Sequence, residues 1–167
     1  MLDPANMSRV LISDFAINPE MIDLNNHLGD VGCHRIFSQA ERLFHERVEI
    51  DEAYRNATHC SVYTVDSRVI FLREILLGEE ISVSFQVLDL SNKAVHIALT
   101  MRNSRGDICA IHECLMMHVL KEGDRVKSYP FARYQLANMV QIFSVDKMLL
   151  RPEELSRGIG IRREVAL

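Results

Sequence analysis

The sequence has no tryptophan, only seven glycines and only four prolines in 167 residues, which excludes collagen-like, low-complexity and disordered classes. It has no pair of cysteines at CxxC spacing among Cys33, Cys60, Cys109 and Cys114, and no signal peptide ahead of Asp3 and Pro4. A reducing, cytoplasmic setting is therefore expected. It lacks any run of about 18 apolar residues, so no membrane span or membrane partner is expected. It also lacks a block of Lys and Arg: 19 basic against 23 acidic residues leave a net charge of −4, which argues against nucleic acid as a partner. What remains is 48% hydrophobic and 25% charged. A chain of this length and composition builds one core, for which neither disulfides nor a structural metal are needed.

Residues 9–17 alternate apolar and polar, with an irregularity at Asp14, and predict a strand ending at Asn18-Pro19. Between Val31 and Val48, Cys33, Ile36, Phe37, Ala40, Leu43 and Phe44 recur at three and four. This spacing predicts a long amphipathic helix, with Asp30 as its cap. A short helical candidate follows at 51–56. Strands are then expected over Cys60–Glu74, Glu80–Leu90, Lys93–Asn103 and Ile108–Lys121. Short turns at Leu77-Gly78, Ser91-Asn92 and residues 104–107 separate them and suggest an antiparallel meander. One strand, one long helix and four strands make an α+β class, in which a long central helix is wrapped by a curved antiparallel sheet. That is the hotdog arrangement. The expected organisation is a main domain over residues 1–130 and a helical extension over 131–167 packed on it, including a second amphipathic segment, Ala132–Phe143.

Chemistry is concentrated in residues 18–28, a polar loop between the first strand and the long helix. Asp23, Asn25 and His27 stand at alternate positions. Gly29 and Asp30 begin the helix, whose free N–H groups and positive end suit a developing oxyanion. Asp23 could attack a thioester carbonyl or activate water, with Asn25 and His27 holding carboxylate or substrate. Loop hydrogen bonds and a half-buried gap filled by His27 explain the same residues, and spacing leaves both open.

Asp23-x-Asn25-x-His27-Leu28, followed by the long helix, resembles the D-x-N-x-H-V motif of hotdog thioesterases, including plant acyl-ACP thioesterases and the 4-hydroxybenzoyl-CoA thioesterase family. Residues 63–69, the Gly78 turn, the strand Ala110–Val119 and the tail Ser156-Arg157-Gly158-Ile159-Gly160-Ile161 are similar to the thioesterases of bacterial carnitine breakdown, which cleave betainyl-CoA. The resemblance implies hydrolysis of an acyl-CoA thioester to free acid and coenzyme A. It implies a catalytic carboxylate at Asp23 and an oxyanion hole at the helix start. The chain departs from many relatives at Leu28, Gly29 and Asp30, at Cys33 where they place Tyr, and at Ser38 where they carry an acid. Glu41 lies nearly one turn beyond Ser38 and is expected to be a solvated helix charge. Ser38, Glu41 and Thr64 are secondary candidates.

Two alternatives stay open. A hotdog enoyl-CoA hydratase would place His five residues after Asp, with Pro between; here the separation is four and Asn26 stands in the way. A non-catalytic acyl-CoA binding protein of the same fold would keep the pocket without turnover. His112, Cys114, Met116 and His118 share one strand face, but alternate strand positions lie roughly 6.5–7 Å apart, wide for ligands of one ion unless their side chains lean together. Packing is the expected role, and no metal or cofactor is expected beyond the coenzyme A of the substrate. Cys33 likewise reads as core, and Arg105-Gly106-Asp107 as a turn. Arg68, Arg73, Lys93 and Arg102 are candidates for coenzyme A phosphates. Phe37, Phe44, Tyr54 and Tyr63 are candidates for a quaternary ammonium wall. An unpaired edge strand implies a dimer or tetramer with a shared acyl channel.

Overall fold

The computed structural model describes residues 9–156. The tail segment Arg157–Ile161 and the end of the expected extension lie outside the described residues. The long helix, α1, spans Asp30–Arg47 and buries Gly32, Cys33, Ile36, Phe37, Ala40 and Phe44. Each large apolar side chain removed from water on that face contributes roughly 1.5–3 kcal/mol. Gly29 occupies the N-cap, while the Asp30 carboxylate accepts the Val31 N–H at 2.7 Å, one residue later than the capping role expected for it. A short helix, α2 (Glu52–Thr58), follows and is capped by Asp51, which accepts the Tyr54 N–H at 2.8 Å.

The strands are β1 (Val10–Ala16), β2 (Cys60–Phe71), β3 (Glu80–Leu90), β4 (Ala94–Asn103), β5 (Ile108–Glu122) and β6 (Arg125–Ser128), all in one antiparallel sheet. The spatial order is β1-β3-β4-β5-β2, with β6 on β5. This corrects the simple meander. Strand β2 does not pair with β3; eleven of its twelve residues pair with β5 at the far edge, with a register shift at Val65, and residues 72–79 carry the chain back across to β3. That crossing segment pairs instead with the polar loop, through an isolated bridge between His27 and Leu76 and a Leu28 N–H to Ile75 carbonyl bond of 2.8 Å. The β1 irregularity falls where the residues place it: Asp14 has φ +52 and the β1–β3 register shifts there.

Burial alternates along β3 and β4, and the inward residues Val83, Phe85, Val87, Val95, Ile97 and Leu99 join the α1 face in one cluster. Helix α3 (Arg133–Asp146) sits against β3, and its Met139 and Ile142 belong to that same cluster, as does Phe131. Its last residue is a fixed point. The fully buried Asp146 carboxylate accepts Arg9 Nε at 2.9 Å and the Val87 N–H at 2.8 Å, so the acid is both paired and hydrogen-bonded, as burial of a charge requires.

Candidate active site

The loop between β1 and α1 closes on itself. A short 3₁₀ turn at Pro19–Met21 starts from Asn18, whose side chain accepts the Glu20 N–H at 3.1 Å. The Asp23 N–H then donates to the His27 carbonyl at 3.0 Å, and the Asn26 N–H to the Asp23 carbonyl at 3.1 Å, with Asn26 at φ +63. Tight turns of this kind favour Asn at a positive φ. One Asp23 oxygen, Oδ1, accepts the Asn25 N–H at 2.8 Å, and Asn25 Nδ2 reaches Oδ2 at 3.4 Å. His27 Nδ1 lies 3.7 Å from Asp23 Oδ1, close enough for electrostatic attraction and too long for a hydrogen bond.

The loop is pressed onto the start of α1. A Cβ at Gly29 would stand 3.0 Å from Asp23 Cβ, and one at Gly32 would stand 2.8 Å from Leu28 Cδ1 and 2.9 Å from the Met21 carbonyl oxygen. Both positions therefore need glycine for close approach. The Gly29 N–H is spent on the Met21 carbonyl at 3.0 Å, so Gly29 supplies a fit for Asp23 rather than an oxyanion donor. Among the described residues, the Asp30 and Gly32 N–H groups make no hydrogen bond, and they are the first-turn donors left over.

A cleft of about 370 Å³ opens here, lined by Asp23, His27, Leu28, Asp30, Phe71, Leu72, Arg73 and Glu74. The Asp23 carboxyl group is held below its usual range, chiefly by the Asn25 N–H, against partial desolvation and with help from His27. It is an exposed, ionised carboxylate at neutral pH. Of the expected basic residues, Arg73 reaches this cleft. Arg68 instead pairs with Glu113 at 2.6 Å in a separate surface cavity with His96. Phe71, Leu72 and Glu74 escaped sequence reasoning because they follow a predicted strand pattern; only the departure of the chain from β2 turns them toward the loop.

The secondary candidates divide. Ser38 is exposed and lines none of this cleft. Glu41 is not the solvated charge expected of it. Its side chain is 17% exposed, its Oε1 lies 2.8 Å from His112 Nε2, and its Oε2 accepts the Thr64 hydroxyl at 3.3 Å. Glu41, His112 and Cys114 thus meet between α1 and β5, as the 3.6-residue helical period and the two-residue strand period together allow. His118, on the same strand, is engaged elsewhere, between the Tyr54 hydroxyl at 3.0 Å and the Tyr129 carbonyl at 2.8 Å. Phe37 and Phe44 are fully buried core residues, which removes them from the candidate ammonium wall. Cys33 lies buried in the core cluster, where burial pushes its thiol up to about 12, the environment of an inert core group.

Residues 17–151 match the family model described as the thioesterase-like superfamily. The chain is 32% identical to the betainyl-CoA thioesterase of Pseudomonas aeruginosa, over 93% of this chain and 98% of that protein. It is 26% identical to the L-carnitine dehydrogenase/betainyl-CoA thioesterase of Rhizobium meliloti, over 90% of this chain but only 30% of that longer protein. In fold it is similar to a hypothetical protein of Staphylococcus aureus solved in complex with CoA, with a TM-score of 0.83 at 22% identity, over 93% of this chain and 98% of that one.

Proposed function

We propose, because this chain belongs to the thioesterase-like superfamily, that it hydrolyses an acyl-CoA thioester to the free acid and coenzyme A in the cleft beside Asp23. The observation that carries this is the ionised Asp23 carboxylate, lodged against a helix start whose Asp30 N–H has no partner among the described residues. The ionised Asp23 carboxylate acts here as the nucleophile. Its oxygen bonds to the thioester carbonyl carbon while the negative charge develops on the carbonyl oxygen beside the helix start. The C–S bond then breaks, the thiolate leaves and is protonated by solvent, and water opens the acyl–aspartyl anhydride to release the acid. Asn25 keeps the carboxylate oriented. Only water and the coenzyme A of the substrate are required.

Betainyl-CoA is the substrate this reading favours. The cleft sets three carboxylates, Asp23, Asp30 and Glu74, against the single guanidinium of Arg73, and adds the half-exposed Phe71 ring. A fixed ammonium cation gains from both the charge and the aromatic face. A second copy of the chain completes the site: β2 is an edge strand that exposes Tyr63, Val65 and Phe71, and Phe71 already lines the cleft. Among the described residues no helix is long and apolar enough to cross a membrane, and all four cysteines are buried and unpaired, which supports a reducing, cytoplasmic setting.

The test is thiol release from betainyl-, aliphatic and aromatic acyl-CoA esters, with Asp23→Asn beside the wild type. Turnover fastest on betainyl-CoA and lost in the variant is expected. Equal rates in both proteins would remove Asp23 from the mechanism. Binding without turnover on every ester would leave a binding protein, and a change in enoyl absorbance without thiol release would leave a hydratase. In a single turnover in ¹⁸O-water, label is expected in Asp23 where water attacks the aspartyl carbon of the anhydride, an outcome that direct attack of water on the thioester could not give.

A further inference from the structure

We propose that Glu41, His112 and Cys114 form a binding site for one zinc ion, clamping the middle of α1 to β5. Ligand atoms of the three side chains lie within 4.8 Å of one another. His112 and Cys114 are two apart on one strand, a spacing that alone would leave them roughly 6.5–7 Å apart; they meet because both side chains lean toward Glu41. The site is enclosed. The His112 side chain is 5% exposed and Cys114 is fully buried. Thr64 supplies a hydroxyl beside the carboxylate at 3.3 Å.

Three features point to a cation rather than to packing alone. An imidazole nitrogen, a thiolate sulfur and a carboxylate oxygen are donor types zinc accepts, and the fourth tetrahedral position would fall to a water or to the Thr64 hydroxyl beside the carboxylate. The buried His112 ring turns Nε2 to Glu41 at 2.8 Å while its Nδ1 has no hydrogen-bond partner, so protein donors and acceptors alone leave the ring incompletely satisfied, a state rare in native cores. No Lys or Arg side chain hydrogen-bonds to Glu41 among the described residues, so nothing permanent offsets its charge. With zinc bound, the two positive charges of the ion meet one thiolate, one carboxylate and a neutral imidazole, and the site sums to zero, which suits a low-dielectric interior. On binding, the Cys114 S–H bond breaks, a Zn–S bond forms and the proton leaves to solvent; nothing is oxidised or reduced.

The site is separate from the cleft. Glu41 stands eleven residues beyond Asp30 on α1, about 16 Å along the axis at the helical rise, and the two sites share no lining residue. The clamp therefore stands or falls independently of the thioesterase reading.

The experiment uses the full-length, tag-free protein, stripped with a chelator and titrated with Co(II), then with Zn(II) against a chromophoric chelator. We expect saturation at one ion per chain, a thiolate-to-cobalt charge-transfer band in the near ultraviolet and a rise in Tm on zinc loading. Cys114→Ser should abolish the band and Cys33→Ser should keep it. Glu41→Gln and His112→Gln should each weaken zinc binding by more than the roughly 10–100-fold that loss of an outer-shell partner costs. Cobalt uptake without a thiolate band, no saturable uptake by the wild type, or a band that survives Cys114→Ser would each overturn the site. The wild-type titration decides even where a variant fails to fold.

Discussion

Two of the three acid–histidine pairs among the described residues are built from the same functional groups and put to opposite uses. Asp23 and His27 stand four residues apart on one loop, 3.7 Å from each other and open to solvent. Glu41 and His112 are 71 residues apart in sequence, 2.8 Å from each other and enclosed between helix and sheet. In the loop pair the carboxylate is satisfied by backbone and amide donors and keeps a free face for a reactant. In the enclosed pair the carboxylate is committed to the protein. An acid on a loop that is pinned by its neighbours is placed for chemistry, whereas an acid on a core helix is placed for cohesion.

The sharpest way to break the comparison is Asp23→Asn. Thiol release should fall by more than the roughly 10²–10⁴-fold that loss of a positioned acid–base group costs, because the variant lacks the nucleophile, while the urea midpoint stays with that of the wild type. A large loss of stability would mean that the loop acid is structural after all. Gly32→Ala comes next. An exposed helical Gly→Ala change normally stabilises by about 1 kcal/mol. Here the added methyl meets the Met21 carbonyl oxygen at 2.9 Å and Leu28 at 2.8 Å, so unfolding in urea should reveal a loss of about 1–3 kcal/mol from overpacking. Glu41→Gln exchanges a charged acceptor for a neutral one at His112 and should lower metal-free stability by about 1 kcal/mol, the difference between the two kinds of hydrogen bond.

The last test is a pH dependence. Desolvation pushes the buried His45 ring down to about 4, with Glu41 pulling the other way. The unfolded chain takes up this proton near pH 6.5 and the folded chain only near 4, so stability is full above 6.5 and declines as pH falls through that window. Tm measured from pH 7 to 4 should show the decline, and His45→Gln should flatten it. Asp23 contributes in the same direction at lower pH, because its carboxyl is held below the ordinary value and its contribution is lost only as pH falls through that lowered value.

The helix was legible in the residues because its apolar positions repeat every three or four, and its observed limits differ from those expected by one residue at each end. The strands were legible individually, apart from the short β6. Their neighbours were not. Alternation says which face a residue takes but not which strand lies beside it, and the Leu77-Gly78 turn reads as a hairpin although it ends a crossing segment. The same limit explains the site. Asp23, Asn25 and His27 are local in sequence and could be seen together. Phe71, Arg73 and Glu74 reach the cleft only through the long-range pairing of β2 with β5. Glu41 looked solvated because glutamate ordinarily lies exposed, and nothing near it in sequence announces His112 on a strand 71 residues later.

The crossing segment, residues 72–79, has a consequence for what the chain can tolerate. It is a tether of fixed length, attached to the sheet edge at one end, to β3 at the other and to the loop of Asp23 in between. The Ser104–Asp107 turn could accept an added residue, because its Gly106 meets nothing within 4 Å and its neighbours would only bulge outward. One residue added between Leu72 and Ile75 has no such slack. It would slip the pairing with His27 and Leu28 and carry the nucleophile out of line, so a length change in this link disarms the site without touching any residue that does the chemistry.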